Sequence, residues 1–159
     1  MMKEAIEDFR LTVEEASARL LSISDEESAR EKAPGKWSPK EIIGHLIDSA
    51  SNNHQRFVRA QFQSDLVFPG YDQDAWVLFQ AYGDAHWVEL VTLWKTFNIQ
   101  IARIMENSPE SVRKSPRSKH NLDKLAWQPV PADKPATLDY FMNDYVDHLK
   151  HHLTQIFPD

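Results

Sequence analysis

The run Asp147-His148-Leu149-Lys150-His151-His152 sets two imidazoles, His148 and His152, four residues apart. On a helix that spacing puts them one turn apart on one face, close enough for both rings to share one metal ion. On the same helical wheel His151 turns out toward solvent. Asp144 lies one turn before His148, where its carboxylate could accept the ring N–H that a metal leaves free. The peptidase pattern His-Glu-x-x-His fails here, because Leu149 stands where the glutamate base belongs.

A third imidazole comes from an earlier segment. His45 is followed by Ser49, Asn52 and Arg56 at +4, +7 and +11, a polar strip along the edge of a helix whose neighbouring face is apolar. Asn53, in the middle of that apolar arc, points to a polar cavity on this side of the protein. Three neutral imidazoles leave one position open on a tetrahedral ion, enough to activate water or a thiol. With no cysteine in the chain, His and carboxylates are the ligands on offer. Zinc fits such a set best, and nickel is the alternative. Asn52 and Arg56 are candidates to orient a substrate. The bland reading, that these histidines only pack or face water, stands beside the metal reading.

Other candidates are weaker. His54, His86 and His120 are isolated and read as surface or packing residues. Trp37 either packs over the end of the fold or walls a pocket. Arg113, Lys114, Arg117 and Lys119 read as a solvated loop, or as a lid that draws in an anionic substrate. Ser49 has no evident Asp/His relay to make it a nucleophile.

The elements that must position these residues are helical. Met2, Ile6, Phe9, Val13, Ala16 and Leu20 step by fours and threes. Ser38-Pro39-Lys40-Glu41 is a capping box with proline at the first helical position, and opens a helix expected to reach about Gln63. Its core face carries Ile42, Leu46, Ala50, Phe57 and Ala60. Ile43, Ile47 and Val58 form a second strip, either a dimer seam or packing against another helix. Asp72 can cap a short helix, and Trp87 to Met105 again repeats at helical spacing, interrupted by Asn98. Residues 111–136 hold four prolines and make a long connection before a last helix capped by Thr137. The expectation is an all-α, single-domain four-helix bundle over residues 1–159, with short extra helices and open connectivity.

Composition limits the partners. A net charge of −6 opposes a nucleic-acid backbone as ligand. No apolar run reaches membrane-spanning length and the N-terminal stretch lacks a signal peptide's apolar core, so a cytoplasmic protein with no membrane partner is expected.

Lys36-Trp37-Ser38-Pro39-Lys40-Glu41-Ile42-Ile43-Gly44-His45-Leu46-Ile47-Asp48, Tyr71-Asp72-Gln73-Asp74-Ala75-Trp76 and the segment from Asp144 to Ile156 together resemble the DinB-like superfamily. The resemblance runs through nearly the whole chain, and its His motifs are its most specific part. It implies a four-helix bundle with a three-His metal site, carried here onto His45, His148 and His152. It also implies a metal-dependent hydrolase, or a transferase using a low-molecular-weight thiol, acting on a small molecule. Many members are dimers, so a homodimer is one partner state the resemblance leaves open. The runner-up is a non-catalytic, stress-related bundle that binds a metal or small ligand.

Overall fold

The computed structural model describes residues 2–158. Four long helices carry the fold: α1 (Met2–Leu21), α3 (Pro39–Arg59), α5 (Trp87–Asn107) and α8 (Leu138–Ile156). Between them lie α2 (Asp25–Ser28), α4 (Gln73–Phe79), a 3-10 turn (Tyr82–Asp84), α6 (Glu110–Arg113) and α7 (Leu122–Leu125).

The local signals act as chemistry dictates. Ser38 Oγ accepts from the Glu41 amide while the Glu41 carboxylate accepts from the Ser38 amide, and Pro39 needs no partner at the first turn. Asp72 and Thr137 cap α4 and α8 in the same sense. The apolar stripes converge on one core that includes Phe9, Leu46, Phe57, Trp94, Ile101 and Leu149. Asn98 is buried there without penalty, donating to the Trp94 carbonyl and accepting from the Tyr145 hydroxyl. Ile43 and Ile47 are buried within the chain, and of the second strip only Val58 is exposed. Two of its three positions are therefore intrachain packing.

Cross-contacts fix the helix directions. Trp87 Nε1 donates to the Leu20 carbonyl, Lys95 pairs with Glu14, and Arg10 pairs with Glu106, so α1 and α5 run antiparallel. His45 meets His148 and His152 while Phe57 meets Phe141, so α3 and α8 are antiparallel too. Asp25 bonds both Lys40 and the Trp87 amide, at the starts of α3 and α5, and His54 meets Phe97 further along. These two helices, consecutive among the long ones, are parallel. An up-down-up-down bundle is thereby ruled out. A parallel neighbour requires the chain to return about 30 Å, the length of a 20-residue helix, which accounts for the connection over residues 60–86.

α3 ends at Arg59 rather than Gln63. The Arg117 guanidinium accounts for the difference: its Nη1 donates to the carbonyls of Ala60, Gln63 and Asp65, and Nη2 to that of Val112. Helix-end carbonyls that have lost their intrahelical donors find a guanidinium instead. Arg113 is buried as well, paired with Asp139 and donating to the Ser108 carbonyl. The basic cluster is thus neither a solvated loop nor a lid at these two positions. A count of charges cannot reveal that backbone acceptors surround them. Lys119 and Asn121 also lace the second connection to Leu66 of the first.

Gly44 is where α3 meets the 3-10 turn. A Cβ added there would fall inside the van der Waals envelope of the Tyr82 ring. Tyr82 in turn donates its hydroxyl to Asp48 Oδ1 at 2.7 Å. Gly44→Ala, ordinarily favourable inside a helix, is expected here to cost about 1–3 kcal/mol through overpacking. Urea unfolding measures this, and a variant as stable as the parent would refute the steric account.

Candidate metal centre

His45 is carried by the capped first half of α3 and is fully buried, whereas His148 and His152 stand on the edge of α8 and are half-buried. Because α3 and α8 run antiparallel in contact, the three rings converge. His148 Nε2 lies 3.3 Å from His45 Nε2 and 3.0 Å from His152 Nε2. One ligand atom from each lies within 4.8 Å of the others. Facing imidazole nitrogens at such distances need a proton or a cation between their lone pairs.

The donor set fits a small divalent ion. Metal–nitrogen bonds of 2.0–2.1 Å in a tetrahedron separate the nitrogens by about 3.3 Å. Among the described residues no carboxylate belongs to the cluster, so its softness suits zinc, nickel or copper better than magnesium or calcium. His152 Nδ1 faces Gln155 Oε1 at 2.8 Å, and as donor to that oxygen it leaves Nε2 as the lone pair turned to the cluster. Sequence reasoning missed Gln155, although its position three residues beyond His152 on the same helix was a usable signal. His45 Nδ1 is buried with no hydrogen-bond partner among the described residues, and the Trp37 ring packs 5.1 Å from the His45 ring. Trp37 therefore covers the His45 ring and also lines a cleft with His152.

Burial disfavours the charged imidazolium at all three positions. It drives His45 down to about 4, helped by His152. It drives His148 down to about 3, with His152, His45 and His151 adding repulsion. His152 is lowered by the same burial, opposed by its bond to Gln155. All three are neutral at pH 7, the state a metal requires. The unfolded chain protonates near 6.5 while the folded rings hold out to lower pH, so between these values the unfolded state binds more protons. Stability is then complete above about pH 6.5 and lost as pH falls toward 4, by at most about 1.4 kcal/mol per pH unit per histidine. Metal-free protein should unfold at lower urea at pH 5 than at pH 7, with a shallower pH slope in His148→Ala. An equal slope in that variant would contradict neutral burial.

Two clefts flank the cluster. One, of about 320 Å³, is bordered by His148 together with Ser49, Asn53, Arg56, Tyr71 and Trp127. The other, of about 560 Å³, is bordered by His152 with Lys32, Lys36, Trp37 and Gln155. Arg56 is buried and faces the first. Asn52 does not line it: 100° around the helix from Asn53, it bonds the Asp48 carbonyl instead. Asp144 borders the cleft but is not bonded to His148. Its two oxygens accept the amides of Trp127 and Gln128, each at 2.8 Å, so it secures the cleft's far wall. Being one turn from His148 did not aim it at that ring, because two unpaired loop amides compete for the carboxylate.

His151 is exposed with its ring 5.1 Å from that of Trp127. His120 is buried, bonded to the Lys134 carbonyl and the Leu122 amide, and His54 packs edge-on to Phe97. His54 and His120 stay away from the cluster, whereas the His151 ring lies 5.4 Å from the His152 ring without joining the triad.

Residues 8–156 match the family profile described as the DinB superfamily. Over 57 residues the chain is 30% identical to "Putative metal-dependent hydrolase OB0413" of Oceanobacillus iheyensis, a stretch covering 36% of this chain and 33% of that protein. The match thus spans about a third of that relative. Among solved structures, YfiT from Bacillus subtilis superposes with a TM-score of 0.74 at 19% identity, over 98% of this chain and 85% of that one. YfiT is described as "a probable metal-dependent hydrolase with an unusual four-helix bundle topology". At that identity the likeness concerns the fold, which is all-α and four-helical in both.

Proposed function

This chain belongs to the DinB superfamily, and from that premise we propose that it is a metal-dependent hydrolase of a small molecule, with His45, His148 and His152 as ligands to one divalent transition ion, zinc first and nickel second. The observation that carries the proposal is the convergence of three neutral Nε2 atoms between two clefts. The names given to the two relatives agree with it.

A bound ion would supply a Lewis acid that polarises a carbonyl and acidifies water. The chain's own residues do the remainder. Gln155 holds the His152 ring in one orientation, and Trp37 shields the His45 ring from water. Tyr71, pushed up to about 12 chiefly by burial, keeps its proton at neutral pH and can donate it in a hydrogen bond within the cleft. Of the described carboxylates that border the two clefts, Asp144 is committed to two amides, and Asp74, in the His152 cleft, is the candidate general base.

A second reading, transfer to a low-molecular-weight thiol, is favoured by the separate cleft at His152. Two approaches to one triad suit two substrates, and Lys32 and Lys36 suit an anionic thiol. Metal analysis of untagged protein beside His45→Ala, followed by ester, amide and thiol-conjugation assays on the metal-loaded form, tests both. About one ion per chain and hydrolysis without thiol supports the first reading; turnover that needs thiol supports the second. Metal held with no turnover on any substrate would leave a non-catalytic binder. No metal would end the proposal.

A further inference from the structure

Arg56 is 6% exposed, yet no carboxylate pairs with it among the described residues. Its Nη2 donates to the Pro69 carbonyl at 2.9 Å and its Nη1 reaches Asn53 Oδ1 at 3.4 Å. A guanidinium has five N–H donors, so three remain. Its carbon lies 5.9 Å from the centre of the Tyr71 ring, and it borders the cleft that His148 borders. Arginine does not escape the cost of burial by losing its proton, and an unpaired buried cation is strongly disfavoured unless an anion meets it.

The carboxylate that shares this cleft, Asp144, forms no ion pair with Arg56. Asp144 has both oxygens taken by the Trp127 and Gln128 amides. Tyr71 is a neutral donor, and Lys124 adds an exposed ammonium at the rim. The lining is therefore rich in donors, with a cation at its inner end and the imidazole cluster at its side.

We infer that the His148 cleft holds an oxyanion subsite centred on Arg56, and that the small molecule processed at the triad carries a carboxylate there. That the anion belongs to a substrate rests on the metal-dependent reading; the subsite itself does not. One guanidinium with two of its five donors spent leaves an edge that matches a bidentate carboxylate. From His45 to Arg56 is about 16 Å of helix rise, which sets an upper scale for the distance between the carboxylate and the reacting bond. A cleft of about 320 Å³ suits a molecule the size of an acylated amino acid.

The probe is N-acetylglycine, compared with its neutral amide and with inorganic phosphate. Each is titrated by calorimetry and by the Arg56 Nε–H resonance, into zinc-loaded and metal-stripped protein. The acid is expected to bind both forms at least tenfold more tightly than the amide or phosphate. Arg56→Gln, which can still donate to Pro69, should lose that tenfold preference while keeping its metal, and Arg56→Lys should keep part of it. Equal binding of acid and amide, or an unchanged preference in Arg56→Gln, would overturn the subsite; tighter phosphate binding would overturn the carboxylate. Arg56-dependent binding by a protein that holds no zinc or nickel would instead keep the subsite and remove the metal-dependent reading.

Discussion

Replacing His148 with alanine is expected to take the metal content from about one ion per chain to near zero while the helical signal stays intact. His148 is the shared neighbour of the cluster, 3.3 Å from His45 Nε2 and 3.0 Å from His152 Nε2. Four-ligand zinc sites bind with about 10–16 kcal/mol, so each protein ligand is responsible for roughly 3–4 kcal/mol. Its loss therefore weakens affinity by roughly two to three orders of magnitude, at about 1.4 kcal/mol per factor of ten. The fold should survive, since His148 is a half-buried edge residue whose helix is held by Phe141, Tyr145, Leu149 and Leu153. Elemental analysis after gel filtration, for both zinc and nickel, gives the answer. Stoichiometric metal in the variant would mean that the ion sits elsewhere. Added zinc should also raise the melting temperature of the parent and leave that of the variant unmoved, because a ligand stabilises only the state that binds it.

The second large effect lies far from the imidazoles. Arg117→Ala is expected to lower stability by about 2–4 kcal/mol, because four backbone carbonyls lose a charged donor and the buried ones gain no water. For a chain of this length that corresponds to a melting temperature lower by about 5–15 °C. Arg117→Lys should recover only a fraction, since an ammonium on a flexible stem cannot match a planar fork to several acceptors. Hydrogen exchange should quicken first around residues 60–68 and 112–122, which the guanidinium ties together. A fall of less than 2 °C would show that solvent satisfies those carbonyls as well as Arg117 does.

Much of this architecture is legible in the chain because helices announce themselves locally. The Ser38-Pro39-Glu41 cap, the apolar spacing of Met2 to Leu20 and the Thr137 cap each depend on residues within a few positions of one another. The imidazole pair on α8 follows from the same period of 3.6. What pairwise spacing cannot supply is where irregular backbone travels. Asp144 sits one turn from His148 but binds amides of residues 127 and 128, whose path no periodicity records. Asn52 and Asn53 differ by 100° of rotation, and only the shape of the neighbouring connection decides which of them borders the cleft. The parallel pairing of α3 with α5 likewise depends on the chain's return over residues 60–86. Arg117 reads as a charge in sequence and acts as a clamp, since its partners are carbonyls, which every residue has.

The three imidazoles stand on two long antiparallel helices, whereas the surfaces around them come largely from the connections: Gly70 and Tyr71 before α4, and Lys124 to Trp127 at and just after α7. On the metal-dependent reading, the ion's ligands and the walls that select what reaches them are therefore written in different stretches of chain. For protein engineering this makes the molecule a chassis with exchangeable fittings. Grafted loops at 69–73 and 124–128 could change what is accepted while the ion's affinity holds steady. Substitutions on the helical faces would do the reverse.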